Sequence, residues 1–303
     1  MKDQLKKIIS DTGLWALADR WHQRKMLKLI KEKQYRTPAS FSATDYKTSN
    51  TIFVLGSGYS INKLSKEDWD HVATHDSYGF NTWMFHPFVP TYFGLETQAD
   101  RDYFEVMYKE MEHRAKDYQE VQFFVQFPHF YKAGVSYSGL DVPAENWHYF
   151  APFALHTTNH SILRNKVKKA LDHHHDDFHH IIHYSGSLSY VIMMCYTMGY
   201  TNIVLLGIDL NDPRYWFMKE GLSGSAKKLE AVHMEYVAKT GRSKLNGKHA
   251  TIDKKFTSRY GSLPVDEYIE ILADELARRD VKLYIGNESS KLHPTLPLYN
   301  FPA

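Results

Sequence analysis

The chain has 303 residues, with 43% hydrophobic, 15% aromatic and 24% charged residues, a composition that excludes disordered and fibrous classes and suits one large domain or one domain with an appendage. Its net charge of +2 is uneven: residues 1–36 hold ten Lys/Arg against four Asp/Glu, and the remainder is acidic. Cys195 is the only cysteine, so no internal disulfide or thiolate metal cluster can form, which fits a reducing, cytoplasmic setting.

At the N-terminus, Asp3, Asp11, Asp19 and two lysines break up what would have to be the apolar run of a signal peptide. No stretch reaches the roughly 18–20 uninterrupted apolar residues that a membrane-spanning helix needs. Leu5, Ile8, Ile9, Leu14, Trp15, Leu17, Trp21, Met26, Leu27 and Ile30 recur at mostly helical spacing with basic residues on much of the opposite face. One or two amphipathic helices are predicted, docking either on an anionic membrane surface, here the inner membrane, or on protein. Residues 1–46 form this extension, Thr37 to Asn50 reading as a polar linker; residues 47–303 form the main domain.

From Thr51 the pattern alternates. Strands are predicted at Thr51–Leu55, Ser77–Phe80, Thr91–Leu95, Val121–Phe127, Ile203–Gly207 and Lys282–Ile285, and apolar helices at Gly186–Met198 and Val265–Arg279. A polar helix with Trp69 and Val72 on one face follows the first strand, and a polar insert from about 211 to 262 is expected to form a small lid. Short apolar strands separated by helices indicate an α/β fold, a doubly wound parallel sheet of Rossmann-like type with one nucleotide-binding domain. Ligands of such sheets bind beyond the carboxyl ends of the strands.

Gly56-Ser57-Gly58 follows the first strand, where glycine permits close backbone approach to a phosphate or ribose. A dinucleotide site lacks support, because Ile61 stands where the third glycine belongs and Asn81 where a ribose-binding carboxylate belongs. A mononucleotide or nucleotide-sugar site, or a tight structural turn, remains. Ser185-Gly186-Ser187 opens the apolar helix with hydroxyls and free N–H groups suited to an anion, and that helix leads into Gly199-Tyr200-Thr201-Asn202-Ile203-Val204-Leu205-Leu206-Gly207-Ile208-Asp209. The run from Asp172 to His180 contains metal-binding atoms, but its spacing matches no zinc motif and it reads as a solvated connection. Trp69 and the pair Met193-Met194 read as core.

The order strand-Gly-Ser-Gly-x-Ser, strand-Asn, Ser-Gly-Ser at a helix start and Gly-Tyr-x-x-Ile-x-Leu-x-Gly-Ile-Asp resembles glycosyltransferase family 42, the bacterial lipooligosaccharide sialyltransferases that use CMP-sialic acid. The similarity runs from about Thr51 to Ser290, with divergent stretches between about 97 and 180 and between 218 and 262. The resemblance implies a GT-A-like domain and inverting transfer of sialic acid, or of Kdo or another CMP-activated ulosonic acid, to a galactose-type hydroxyl of a bacterial surface glycan. No metal or other cofactor is implied, and oligomers are. It places Gly56, Ser57, Gly58, Asn81, Ser185, Gly186, Ser187, Asp209 and Asn211 at the donor, with Ser57 in place of the family's asparagine. The family's arginine before the helix is replaced by Tyr184 or His183, and Asn211 replaces the first of two phosphate-binding tyrosines, of which Tyr215 is the second. Arg214 would add charge beside Tyr215, and His249 would be the general base, with Tyr260 a lesser candidate for phosphate or acceptor contact. Two other classes stay open: a pyrophosphokinase-like enzyme with Mg²⁺ on Asp209 and Asp212, and a non-catalytic nucleotide-binding module.

Overall fold

A computed structural model of the chain describes residues 14–96, 100–134, 137, 139–172, 178–240, 249–258 and 261–302. In chain order the strands are β1 (Thr51–Leu55), β2 (Asp76–Phe80), β3 (Tyr92–Leu95), β4 (Gln122–Gln126), β5 (Trp147–Phe150), β6 (Phe153–Ala154), β7 (Ile182–His183), β8 (Asn202–Leu206) and β9 (Lys282–Ile285). The helices are α1 (Leu14–Glu32), α2 (Lys66–Ala73), α3 (Arg101–His113), α4 (Phe127–Ala133), α5 (His160–Asp172), α6 (Ser187–Thr197), α7 (Ser225–Lys239), α8 (Lys254–Ser258) and α9 (Val265–Ala277). The main sheet has seven strands in the order β5-β4-β3-β2-β1-β8-β9, all parallel, while β6 and β7 pair separately. The predicted doubly wound α/β fold is therefore present.

Both faces of the sheet are covered, which is why its strands read as continuous apolar runs. In β1, Ile52 and Val54 enter the core built with α5, α6 and α9, while Phe53 and Leu55 enter the core built with α1, α2, α3 and α7. Helix α6 is buried on all sides from Leu188 to Tyr196, so it carries little amphipathic signal. Helix α2 is fixed at its start by a capping box in which Ser65 and Asp68 exchange hydrogen bonds. From β5 at one edge the chain crosses through α5, β7 and α6 to β8 on the far side of β1. Strand order reverses there, and the crevice outside the strand ends opens at this point.

Two expectations need correction. The run predicted as a linker is fastened to the sheet: the Phe41 ring meets Phe124 at 5.4 Å and Tyr92 at 6.1 Å, and Lys47 Nζ donates to Gly199 O at 2.6 Å. Its polar side chains serve as ties, so hydrophobicity alone hides its order. The polar insert contains α7, whose Ala226, Leu229 and His233 are buried, and this helix packs along α3. Tyr260 and most of the His-rich run lie outside the described residues.

Asp76, buried at the start of β2, accepts from Thr48 N–H at 2.8 Å, Thr48 Oγ1 at 2.9 Å and Tyr200 OH at 2.9 Å. It joins the segment before β1 to the turn before β8. Removing its carboxylate strands these donors in a dry site. Asp76→Ala is expected to lose about 2–4 kcal/mol of unfolding free energy in urea titration, whereas Asp70→Ala, on an exposed helix face, changes it by less than about 0.5 kcal/mol.

Candidate active site

The turns after β1 and β8 cross at van der Waals contact. A Cβ on Gly56 would lie 2.6 Å from Gly207 O, and one on Gly58 would lie 2.6 Å from both Gly207 O and Asp209 Oδ2. Gly207 itself has φ +65° and would meet Gly56 O at 2.7 Å. These glycines are accounted for by the crossing of two backbones. Asp209, buried beneath it, accepts from Ser60 N–H at 2.9 Å, from Ser60 Oγ and from Asn287 Nδ2 at 3.2 Å.

The crossing forms the floor of a cleft of about 770 Å³, large enough for a nucleotide with a sugar. Ser57, Gly58, Asn81, Ser185, Gly186, Ser187, Asp209, Arg214, Tyr215 and His249 all line it. Asn211 does not: its Nδ2 donates to Ser289 O at 2.6 Å. Tyr184 is buried away from the cleft, donating to Thr157 O at 2.7 Å and accepting from Leu263 N–H at 2.6 Å, so His183 is the member of that pair that faces the site.

One wall carries Tyr215 and His249. Trp216 N–H donates to Ser57 O at 2.9 Å and Gly58 bridges Tyr215, which hangs the tyrosine directly from the β1 turn. The Tyr215 hydroxyl lies 3.3 Å from His249 Nε2, and His249 Nδ1 lies 2.8 Å from Thr251 Oγ1. With its proton on Nε2 the imidazole donates to Tyr215; with it on Nδ1 the Thr251 hydroxyl accepts and Nε2 keeps a lone pair. The Thr251 N–H, 3.4 Å from Nδ1, adds only a long bond to the first form. Arg214 donates to both oxygens of Asp212, at 2.7 and 3.0 Å among its contacts, and sits 4.0 Å from the Tyr59 ring centroid. Its hydrogen bond, with the adjacent positive charge, holds the Asp212 carboxyl below the usual range.

The opposite wall centres on Glu96, which sequence reasoning missed. Ser187 Oγ donates to Glu96 Oε2 and approaches Asn81 at 3.3 Å; His129 Nδ1 lies 3.0 Å from Glu96 Oε1, and His183 Nε2 lies 3.8 Å from it. Asn81 takes φ +57°, a left-handed conformation that asparagine tolerates, which turns its amide toward Ser187. Burial alone would raise the Glu96 pKa, but the His129 hydrogen bond, the charges of His183 and His129 and the Ser187 hydroxyl outweigh it and bring it to about 2. Burial opposes charge on His129, yet its bond to Glu96 raises its pKa. His183 lies deeper, and burial lowers its pKa despite Glu96; its Nε2 makes no hydrogen bond among the described residues. Glu96 was findable, because it immediately follows a predicted strand, as Asn81 does. His129 had no such signal.

No protein-family model matches the sequence, and no curated protein matches it. Among solved structures the chain is similar to a variant of the sialyltransferase CST-II in complex with CMP, at 16% identity and TM-score 0.43 over 83% of this chain and 86% of that one. It is similar to the sialyltransferase CstII from Campylobacter jejuni in complex with a substrate analogue, CMP-3FNeuAc, at 14% identity and TM-score 0.43, with coverage of 83% and 86%. A third is the monofunctional alpha-2,3-sialyltransferase Cst-I from Campylobacter jejuni, at 14% identity and TM-score 0.40, with 84% of each chain covered.

The Glu96–His129 pair makes a signed prediction. In Glu96→Gln the carboxylate that raises His129 is gone and burial remains, so the His129 midpoint, followed by proton NMR, falls below that of the wild type. The lowered Glu96 pKa contributes stability that is lost as pH falls through about 4.5 toward 2. The raised His129 pKa contributes stability that is complete below about 6.5 and lost as pH rises through its folded value. The stability difference between wild type and Glu96→Gln is therefore largest between these limits.

Proposed function

We propose that the chain is an inverting glycosyltransferase that moves sialic acid, or another CMP-activated ulosonic acid such as Kdo, from its CMP donor to a galactose-type hydroxyl of a bacterial surface glycan, acting from the cytoplasm. The observation that carries this reading is the contact between Tyr215 and His249 on the cleft wall beside the β1 turn. It sets a phenol and an imidazole, brought from 34 positions apart, where one bond must lose an anion and another must lose a proton.

In this reading CMP lies along the Gly56–Gly58 turn and Asn81, with its phosphate toward Tyr215. As the bond from the anomeric carbon to the phosphate breaks, negative charge grows on the phosphate, and the Tyr215 hydroxyl, fixed by the bond between Trp216 N–H and Ser57 O, donates to it. Arg214 adds positive potential from the rim. It is oriented by its contacts with Asp212 and Tyr59. Stabilising the leaving group with fixed donors requires no divalent ion.

The acceptor hydroxyl attacks from the opposite side. His249 is the base: its proton rests on Nδ1 against Thr251 Oγ1, and once the Tyr215 hydroxyl turns from Nε2 to the phosphate, the Nε2 lone pair is left to take the acceptor's proton. One displacement with no covalent intermediate inverts the anomeric centre. The sugar occupies the half of the cleft bounded by Ser187, Glu96 and His183, which combines acceptor oxygens with a ring nitrogen, a mixture that suits hydroxyl groups.

A magnesium-dependent phosphoryl transferase is less well supported, because both candidate carboxylates are already engaged, Asp209 by Ser60 and Asn287 and Asp212 by Arg214. A non-catalytic nucleotide-binding module is separated by turnover. Thermal shift with CMP, UDP, GDP, ADP and NAD is expected to show the largest rise with CMP, about 2.7 kcal/mol of added stability at a hundred times its Kd. A rise with UDP or NAD and none with CMP removes the reading. His249→Ala is expected to keep the CMP shift while transfer from CMP-sialic acid falls on the order of 10²–10⁴-fold; full activity in this variant would eliminate it as the base.

A further inference from the structure

Helix α1 is fastened to the domain by one side only. Met26 and Ile30 are buried, Gln23 Nε2 donates to Ala151 O at 2.9 Å and His179 O at 2.7 Å, and Asp19 meets His156 Nδ1 at 2.9 Å. Its other side presents Leu17 and Trp21, 66% and 68% exposed and one turn apart, in line with Arg24 and Lys28. Arg20, Lys25 and Lys31 flank this line and are exposed, and Lys25 Nζ lies 5.8 Å from the Trp21 ring centroid. Glu32, paired with Lys28 at 3.6 Å, is the one carboxylate on that side.

We propose that this face of α1 docks the protein on a bilayer surface bearing anionic headgroups. Five cations around an exposed tryptophan and leucine match a negative interface into which apolar side chains can sink. A second copy of the same face would meet it with like charge. A polyphosphate chain would use the cations but give Leu17 nothing to bury against. Among the described residues no helix is long and apolar enough to cross a membrane, so α1 lies along the interface.

The attachment fixes where the cleft goes. His156, the residue that Asp19 holds, lines the cleft, so α1 runs from its rim. Docking therefore sets the mouth of the cleft close to the headgroups, where a glycan carried on a lipid would present its terminal hydroxyl. This last step rests on the transferase reading; the docking itself does not.

The test is sedimentation of the full chain with vesicles of phosphatidylcholine alone or mixed with phosphatidylglycerol, at low and high salt. Binding to the mixed vesicles, weakened by salt, is expected. Arg24→Glu with Lys28→Glu should weaken it at least about twentyfold, at roughly fivefold per cation, and Leu17→Ala with Trp21→Ala about tenfold. Both variants should keep the wild-type melting temperature and circular dichroism within a few degrees and a few per cent, since these side chains are exposed. Failure to bind anionic vesicles, binding that is equal on neutral vesicles, or binding unaffected by either double substitution overturns the proposal. So does self-association, or binding to single-stranded DNA in place of vesicles. A chain that binds anionic vesicles but turns over no CMP-sugar keeps the docking surface and loses the transferase.

Discussion

Everything at the cleft depends on the crossing of the turns that follow β1 and β8, clamped from below by Asp209. Because Asp209 is buried and accepts from both the amide and hydroxyl of Ser60, the two turns cannot separate without stripping two of the donors from a carboxylate in a dry environment. Three glycines make the approach possible, since any Cβ at Gly56, Gly58 or Gly207 would overlap backbone atoms. Ser57 then uses its carbonyl to hold Trp216 and its hydroxyl to meet Thr82 at 2.8 Å, carrying the same rigidity to Tyr215 and to the β2 end. A glycine loop that reads as a phosphate cradle is thus first a packing device, and any ligand role is built on top of it.

The two walls divide the electrostatic work. On the Tyr215 side the donors are neutral or locally compensated: Arg214 is paired with Asp212, so its field is short-ranged, and the Tyr215 phenol is an uncharged donor beside it. On the Glu96 side the carboxyl is held below its usual range, its bond to His129 raises that imidazole against burial, and burial lowers His183 beside them. Ser187 spends its proton on Glu96, so toward a ligand its oxygen acts as an acceptor. The wall therefore offers acceptor oxygens and two imidazoles, a set suited to hydroxyl groups more than to a net charge.

What could be read from the chain follows from burial. β1, β8 and β9 are flanked on both faces, and their apolar runs stood out; so did α6, because a helix buried all round is uniformly apolar. β5, with the sequence Trp-His-Tyr-Phe, lacks β-branched residues and escaped notice, although Trp147 stacks on Phe123 at 4.5 Å. α3 and α7 were hidden by their charged outer faces. The site was legible where a strand end announced it, as at Asn81 and Asp209, and at Glu96 had the same rule been applied. The pairing of His249 with Tyr215 could not come from spacing, because the segment between them folds back through α7 before returning.

The entry to α6 explains why the side chains turned to the cleft are Ser187 and His183. Ser185 adopts φ +55° and Gly186 φ +145°, conformations in which the chain reverses sharply before the helix begins. The hydroxyls of the neighbouring serines are used to hold that reversal: Ser185 Oγ donates to Leu263 O at 3.0 Å, and Ser189 Oγ accepts from Tyr184 N–H at 2.8 Å and donates to Gly186 O at 2.7 Å. Tyr184 is drawn inward by the same reversal, stacking on Tyr268 at 5.0 Å. The residues on either side of it, His183 and Ser187, are left to face Glu96. An arginine at position 184 would have to bury its charge against Thr157 and Leu263, so beside Glu96 the basic side chains that line the cleft come from the strand before the turn and from α4, where His183 and His129 stand.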